Sequence, residues 1–150
     1  MDSIKLIKAG ISVYEVEISL GKYSSLSTAD IRGFTSRLLR MFPGLRKHEC
    51  CACEAGGFVR ELRKGTDLAH VIEHLTIEML KNVSNPRRKL SGWTRKKSKN
   101  YVLHFQVPDS ATGKCAASCA IRVIEAIIEE RPVSRRAIMK ELKEAKGVRS

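Results

Sequence analysis

The chain has 150 residues, 43% hydrophobic and 29% charged, enough for one domain whose core needs no disulfide staples. No apolar run approaches the roughly 20 residues a bilayer requires, and Met1-Asp2-Ser3-Ile4 does not begin a secretory signal, so a cytoplasmic protein with no membrane span is expected. Lys and Arg outnumber Asp and Glu by 28 to 16, a net charge of +12, which favours carboxylate-rich or polyanionic partners and keeps nucleic acid open as an alternative.

From the N-terminus, Ile11, Val13, Val16, Ile18 and Leu20 alternate in part with Tyr14, Glu15, Glu17 and Ser19, and this predicts a strand over 11–20. A polar loop follows from Gly21 to Thr28. Ser27 or Thr28 then caps a helix expected from about Ala29 to Phe42, with Ile31, Phe34, Leu38, Leu39 and Phe42 as its core face. Pro43-Gly44 ends it. Leu45 to Cys53 reads as a short strand leading into a turn at Gly56-Gly57, and Phe58 to Lys64 fits either a strand or a short helix.

The most informative stretch runs from Gly65 to Leu80. Thr66 or Asp67 can cap a helix in which Leu68, Ile72, Leu75 and Met79 form a buried stripe. At about 100° per residue, His70, Glu73, His74 and Ile77 fall on the opposite side. Imidazoles at i and i+4 can converge on one ion, and H-x-x-E-H is the inverted zinc-hydrolase pattern. It places two neutral nitrogen donors on Zn²⁺ and leaves a carboxylate, Glu73, to take the proton of an attacking water. Five letters are a weak filter, and two histidines and a glutamate on a solvated helix face are the equal alternative.

A charged turn at Asn85-Pro86-Arg87-Arg88-Lys89 precedes a predicted hairpin of strands 90–94 and 101–107, joined by a basic tip, Arg95 to Asn100. His104 within it is read as structural. Ser110 or Thr112 opens a second long helix to about Glu130, packed through Ala117, Ala120, Ile121, Ile124 and Ile128, and Pro132 stops it. Ser134 caps a last helix, Arg135 to Lys146, with only Ile138, Met139 and Leu142 as apolar anchors. The whole reads as a two-layer α+β domain over residues 1–150, a small, mainly antiparallel sheet with packed helices.

A catalytic zinc needs a further protein ligand beyond two histidines. Glu125, Glu129 and Glu130 are the candidates on the second long helix. Glu125, at the border of its apolar face, is expected to be the third ligand, and Arg95 or Arg122 to anchor the substrate carboxylate or an oxyanion. The five cysteines fall as Cys50, Cys51 and Cys53, beside His48, and as Cys115 and Cys119. They are expected to be free thiols in a reducing compartment, with His48/Cys50/Cys51/Cys53 as a rival metal site that lacks paired C-x-x-C spacing.

Taken together, Phe42-Pro43-Gly44-Leu45, His48-Glu49-Cys50, Gly56-Gly57-Phe58-Val59-Arg60-Glu61-Leu62, Gly65-Thr66, His70-Val71-Ile72-Glu73-His74, Thr94-Arg95 and Arg122-Val123-Ile124-Glu125-Ala126 resemble the amino-terminal domain of cyanophycin synthetase. The likeness covers roughly residues 11–129, with the last helix, about 133–146, as a C-terminal tail. Cyanophycin is a polyaspartate carrying arginine on its side-chain carboxyls. In those enzymes the domain precedes an ATP-grasp ligase and a Mur-ligase-like domain. It is associated with holding the polymer and, in some members, with a metal-dependent hydrolase site.

The resemblance thus implies His70, His74 and Glu125 as metal ligands, Glu73 as base, and a zinc-dependent cut in an amide bond of a peptide-like polymer, possibly beside a ligase partner. A polymer-binding module without catalysis is the first alternative and a nucleic-acid-binding protein the second. Against the latter, aromatics are only 5% and no RNP-type signature is present. The chain carries no G-x-x-x-x-G-K-[ST] phosphate loop, so it is expected not to make polymer by itself, whether standalone or a fragment. Asp67, where the family has an aromatic, and the Cys50/Cys51/Cys53 cluster depart from the pattern.

Overall fold

The computed structural model describes residues 4–9, 14–49, 56–83, 92–105 and 110–147. The readings made for 11–13, 50–55, 84–91 and 106–109, among them the cysteine cluster and the charged turn, lie outside these. Among the described residues, four strands, β1 (Lys5–Ala9), β2 (Tyr14–Ser19), β3 (Gly92–Lys97) and β4 (Asn100–Phe105), form one antiparallel sheet in the order β1-β2-β4-β3. Five α-helices of these residues, α1 (Phe34–Met41), α2 (Gly57–Lys64), α3 (Leu68–Val83), α4 (Ser110–Ile128) and α5 (Arg135–Gly147), supply the second layer. The fold is the expected two-layer α+β arrangement.

Register explains which sheet face meets the helices. Val16 pairs with Leu103, Ile18 with Tyr101, and Thr94 with Leu103. Side chains two apart along a strand share a face, so Val16, Ile18, Leu103 and Phe105, all buried, point inward. Glu15, Glu17, Trp93, Arg95 and His104 lie on the other face. There Trp93 is 43% exposed and stacks on His104 at 4.5 Å, with Arg95 over its ring at 5.7 Å.

Several expectations are corrected. The first helix begins at Phe34, not Ala29. Ser27 and Asp30 close a capping box around a 3-10 turn at Thr28–Asp30, and Gly33, at φ +71°, breaks the chain before the helix starts. Leu45 to Lys47 are no strand: Pro43–Lys47 winds as a 3-10 turn, and His48 follows in extended conformation. Phe58 to Lys64 resolves to helix α2. The basic hairpin tip shrinks to Ser98-Lys99, with Ser98 at φ +56°, because β3 runs on through Lys97 and β4 starts at Asn100. β1 was not anticipated.

Helix α5 is held by more than its three apolar anchors suggest. Ile138, Met139 and Leu142 are all buried, Arg135 lies over the Phe42 ring at 5.5 Å, and the Lys146 ammonium donates to the Val83 carbonyl. Ser134 caps it, its hydroxyl accepting from Ala137 N at 3.1 Å. Among the described residues no helix is long and apolar enough to cross a membrane. Leu142→Ala should cost about 2–5 kcal/mol, the range for emptying a buried leucine site, and the urea midpoint should fall at unchanged slope. A surface-docked helix would leave it within error.

Candidate metal centre

Helix α3 carries the site and is buried nearly all round. Beyond the expected Leu68, Ile72, Leu75 and Met79, residues Val71, Ile77 and Leu80 are buried, and so are Glu73, His74 and Thr76. The histidine face is therefore covered, not solvated. Its start is fixed by three contacts. The Asp67 carboxylate accepts from His70 N at 2.8 Å, Thr28 N donates to the Thr66 carbonyl at 2.9 Å, and Thr66 N donates to Thr28 Oγ1 at 3.0 Å. Gly65, at φ +112°, leaves the space that a Cβ would contest with Ser27 Oγ, 2.6 Å away.

On this frame one ligand atom each from His70, Glu73 and His74 lies within 4.8 Å of the others. The imidazole centroids are 4.8 Å apart and nearly perpendicular. Phe58, delivered by the Gly56-Gly57 turn that opens α2, stacks flat on His74 at 4.0 Å and meets His70 edge-on at 5.6 Å. Thr94 Oγ1 donates to Glu73 Oε2 at 2.5 Å from β3. Burial pushes the Glu73 carboxyl above its ordinary value, against the opposing pull of Thr94 and His70.

The nitrogen partners orient the rings. His48 Nε2 meets Glu78 Oε1 at 2.9 Å, and His48 Nδ1 meets His74 Nδ1 at 3.0 Å. Burial raises the Glu78 carboxyl, but the hydrogen bond and charge of His48, with Asn82 and Lys81, outweigh it and hold the group below its ordinary value. An ionised carboxylate only accepts, so His48 Nε2 is the donor. Whichever ring donates, the His48–His74 hydrogen bond engages His74 Nδ1, so Nε2 is the His74 nitrogen outside this chain of hydrogen bonds. Thr66 Oγ1 meets His70 Nδ1 at 2.9 Å, so that ring nitrogen too is engaged by a neighbouring side chain. Gly44 permits the arrangement, since a Cβ there would overlap the Glu78 carboxylate. Imidazoles oriented through their second nitrogen are the usual setting for metal ligation, and the donor set suits Zn²⁺.

Other expected participants lie elsewhere. Glu125 does not join the group: its Oε2 accepts from Ile4 N at 3.3 Å, because that side of α4 faces the N-terminal strand. Arg122 turns to α5 and pairs with Glu141 at 2.5 Å. Arg95 sits on the sheet face opposite Thr94, so strand alternation points it away from Glu73. Lys96 and Tyr101, in register with each other, share the site's side of the hairpin with Thr94. As a rival ligand, His48 has both ring nitrogens already engaged. His104 is a stacking partner on the outer face, in keeping with a structural role. Sequence reasoning missed Phe58, Thr66, Thr94 and Glu78, whose one signal was the i, i+4 placement of Glu78 after His74.

Residues 15–129 match the family described as the cyanophycin synthase-like N-terminal domain. The chain is similar to the cyanophycin synthetase of Synechocystis sp., 28% identical over 120 residues, and to that of Crocosphaera subtropica, 28% over 102 residues. The enzyme of the same name from Geminocystis herdmanii is 27% identical over 122 residues. These alignments cover 79%, 67% and 80% of this chain but only 14%, 12% and 14% of the relatives.

Burial, helped by the nearby His70, His48 and Lys81, lowers the His74 pKa to about 2. The unfolded chain takes its proton near the ordinary 6.5, so unfolding gains a proton between these values and native stability falls as pH drops below about 6.5. The His74 contribution has a slope of about 1.4 kcal/mol per pH unit. In metal-free protein, urea midpoints from pH 7 to 4.5 should show this loss, and His74→Gln should flatten it. A pH dependence unchanged by the substitution would contradict the buried neutral imidazole.

Proposed function

The chain belongs to the family of cyanophycin synthase-like N-terminal domains, and from that premise we propose a cytoplasmic, zinc-dependent hydrolase of an amide bond in a peptide-like polymer such as cyanophycin. The observation that carries this reading is the convergence of His70, Glu73 and His74, with His74 held through Nδ1 by the hydrogen-bond chain from Glu78 through His48. His70 and His74 would hold the ion. Zn²⁺ there would supply Lewis acidity toward the scissile carbonyl.

The protein's own groups do the proton work. Glu73, its proton affinity raised by burial, takes the proton of the attacking water and passes it to the leaving amine. Thr94 holds one of its oxygens and so fixes the carboxylate against the imidazoles. Phe58 closes the far side of both rings and keeps water from competing for them. On the hairpin, Lys96 rather than Arg95 is the cation on the side of a substrate carboxylate.

A second reading rests on Glu125. With that carboxylate on Ile4 N, no second acid joins the group among the described residues, and a domain that holds the polymer without cutting it, beside a ligase partner, fits such a ligand set.

Glu73→Gln separates the two. In the hydrolase, release of new amine ends from cyanophycin should fall at least 100-fold while bound zinc is retained. Equal activity in both proteins, or no cleavage by the zinc-loaded native chain, would sink the hydrolase. Zinc affinity gives an independent check on the hydrogen-bond chain. Glu78→Ala should weaken it by roughly 10–100-fold. Glu78→Gln, which still accepts through its amide oxygen, should weaken it less.

A further inference from the structure

A second group of metal-type donors lies where α5 crosses α4, away from the histidines. Cys115 and Cys119 are one turn apart on α4, with their sulfurs 4.0 Å apart. Glu141 reaches them from α5, so that one donor atom from each of the three lies within 4.8 Å of the others. Two Zn–S bonds of about 2.3 Å at a tetrahedral angle hold their sulfurs about 3.8 Å apart. The thiols are therefore already close to the spacing a shared ion demands. A positive charge is already seated here: the Arg122 guanidinium lies 3.1 Å from Cys119 Sγ and 2.5 Å from Glu141 Oε2.

We propose that Cys115, Cys119 and Glu141 form a zinc site that clasps α5 to α4. Binding releases two thiol protons and gives two thiolates and one carboxylate around a divalent ion, a centre with one net negative charge. Arg122 balances that charge by keeping its hydrogen bond to Cys119 Sγ while ceding Glu141 to the metal. That exchange needs only side-chain rotation, since Arg122 and Glu141 are each about half exposed, at 51% and 50%. Soft sulfur donors select Zn²⁺ over Mg²⁺ or Ca²⁺. The fourth position, toward solvent beside Glu141, takes a water. The clasp joins residues 22 and 26 positions apart and fixes the C-terminal helix independently of the His70/His74 centre.

Titration of the reduced full chain with Co²⁺, followed in the near ultraviolet, reads the site directly, because only thiolate ligands give an intense sulfur-to-cobalt charge-transfer band. The band should appear, vanish on addition of Zn²⁺, and persist in His70→Ala/His74→Ala. It should be lost in Cys115→Ala/Cys119→Ala and survive in Cys50→Ser/Cys51→Ser/Cys53→Ser. Cys119 is buried, so Cys115→Ala alone, at a half-buried position, guards against misfolding and should weaken Co²⁺ binding at least tenfold. Glu141→Gln should weaken it several-fold with the band retained. No band in the native chain, a band that survives Cys115→Ala/Cys119→Ala, or one lost with Cys50, Cys51 and Cys53 would overturn the proposal.

Discussion

The burial of α3 on nearly all sides is the constraint from which the rest of the molecule follows. A helix covered by the sheet, α2, α4 and α5 cannot hydrate its polar stripe, and an unpaired buried imidazole or carboxylate is costly. The solution is a closed set of partners: Glu78 to His48, His48 to His74, Thr66 to His70, and Thr94 to Glu73. His48, Thr66 and Thr94 come from three different segments, so the 3-10 turn before His48, the Gly65-Thr66 loop and strand β3 are all held in place by α3. Even the missing side chain at Gly44 is part of it.

The sequence was most legible where periodicity was strong. The hairpin alternation, the α3 and α4 stripes and the caps at Ser27 and Ser134 correspond to elements in the structure. The start of α1 was misread because the Ser27 cap serves a 3-10 turn, a distinction of φ at Gly33 that residue letters do not carry. β1 escaped because Lys5-Leu6-Ile7-Lys8-Ala9 is short and its pairing with β2 is a tertiary matter. At the site, neighbours on one helix were readable because α-helical geometry alone brings His70, Glu73 and His74 together. Partners arriving from elsewhere were not. Glu125 was chosen from its angular position on α4, which says how near the apolar border it lies but not which neighbour that border faces. His48 stands beside a cysteine-rich string in the sequence, and its contacts with His74 and Glu78 are tertiary.

Family membership and geometry bear on different questions. Similarity to cyanophycin synthetases covers most of this chain and about one seventh of the relatives. It therefore speaks for this domain and its family. The hydrogen-bonded imidazoles speak to chemistry, since rings oriented through their second nitrogen are a common setting for metal ligation. Positive charge is spread over the β3 hairpin and α5 rather than gathered at the site, which leaves the vicinity of Glu73 governed by burial more than by long-range fields.

The position of β3 gives the basic hairpin a further meaning. Among the described residues it is an outermost strand of the sheet, and such a rim would otherwise be a template on which another chain could add a strand. Arg95, Lys96 and Lys97 in succession along that rim make such pairing repulsive between copies, because any identical strand laid alongside brings the same charges into contact. The cluster thus serves as a gatekeeper against fibrillar self-association.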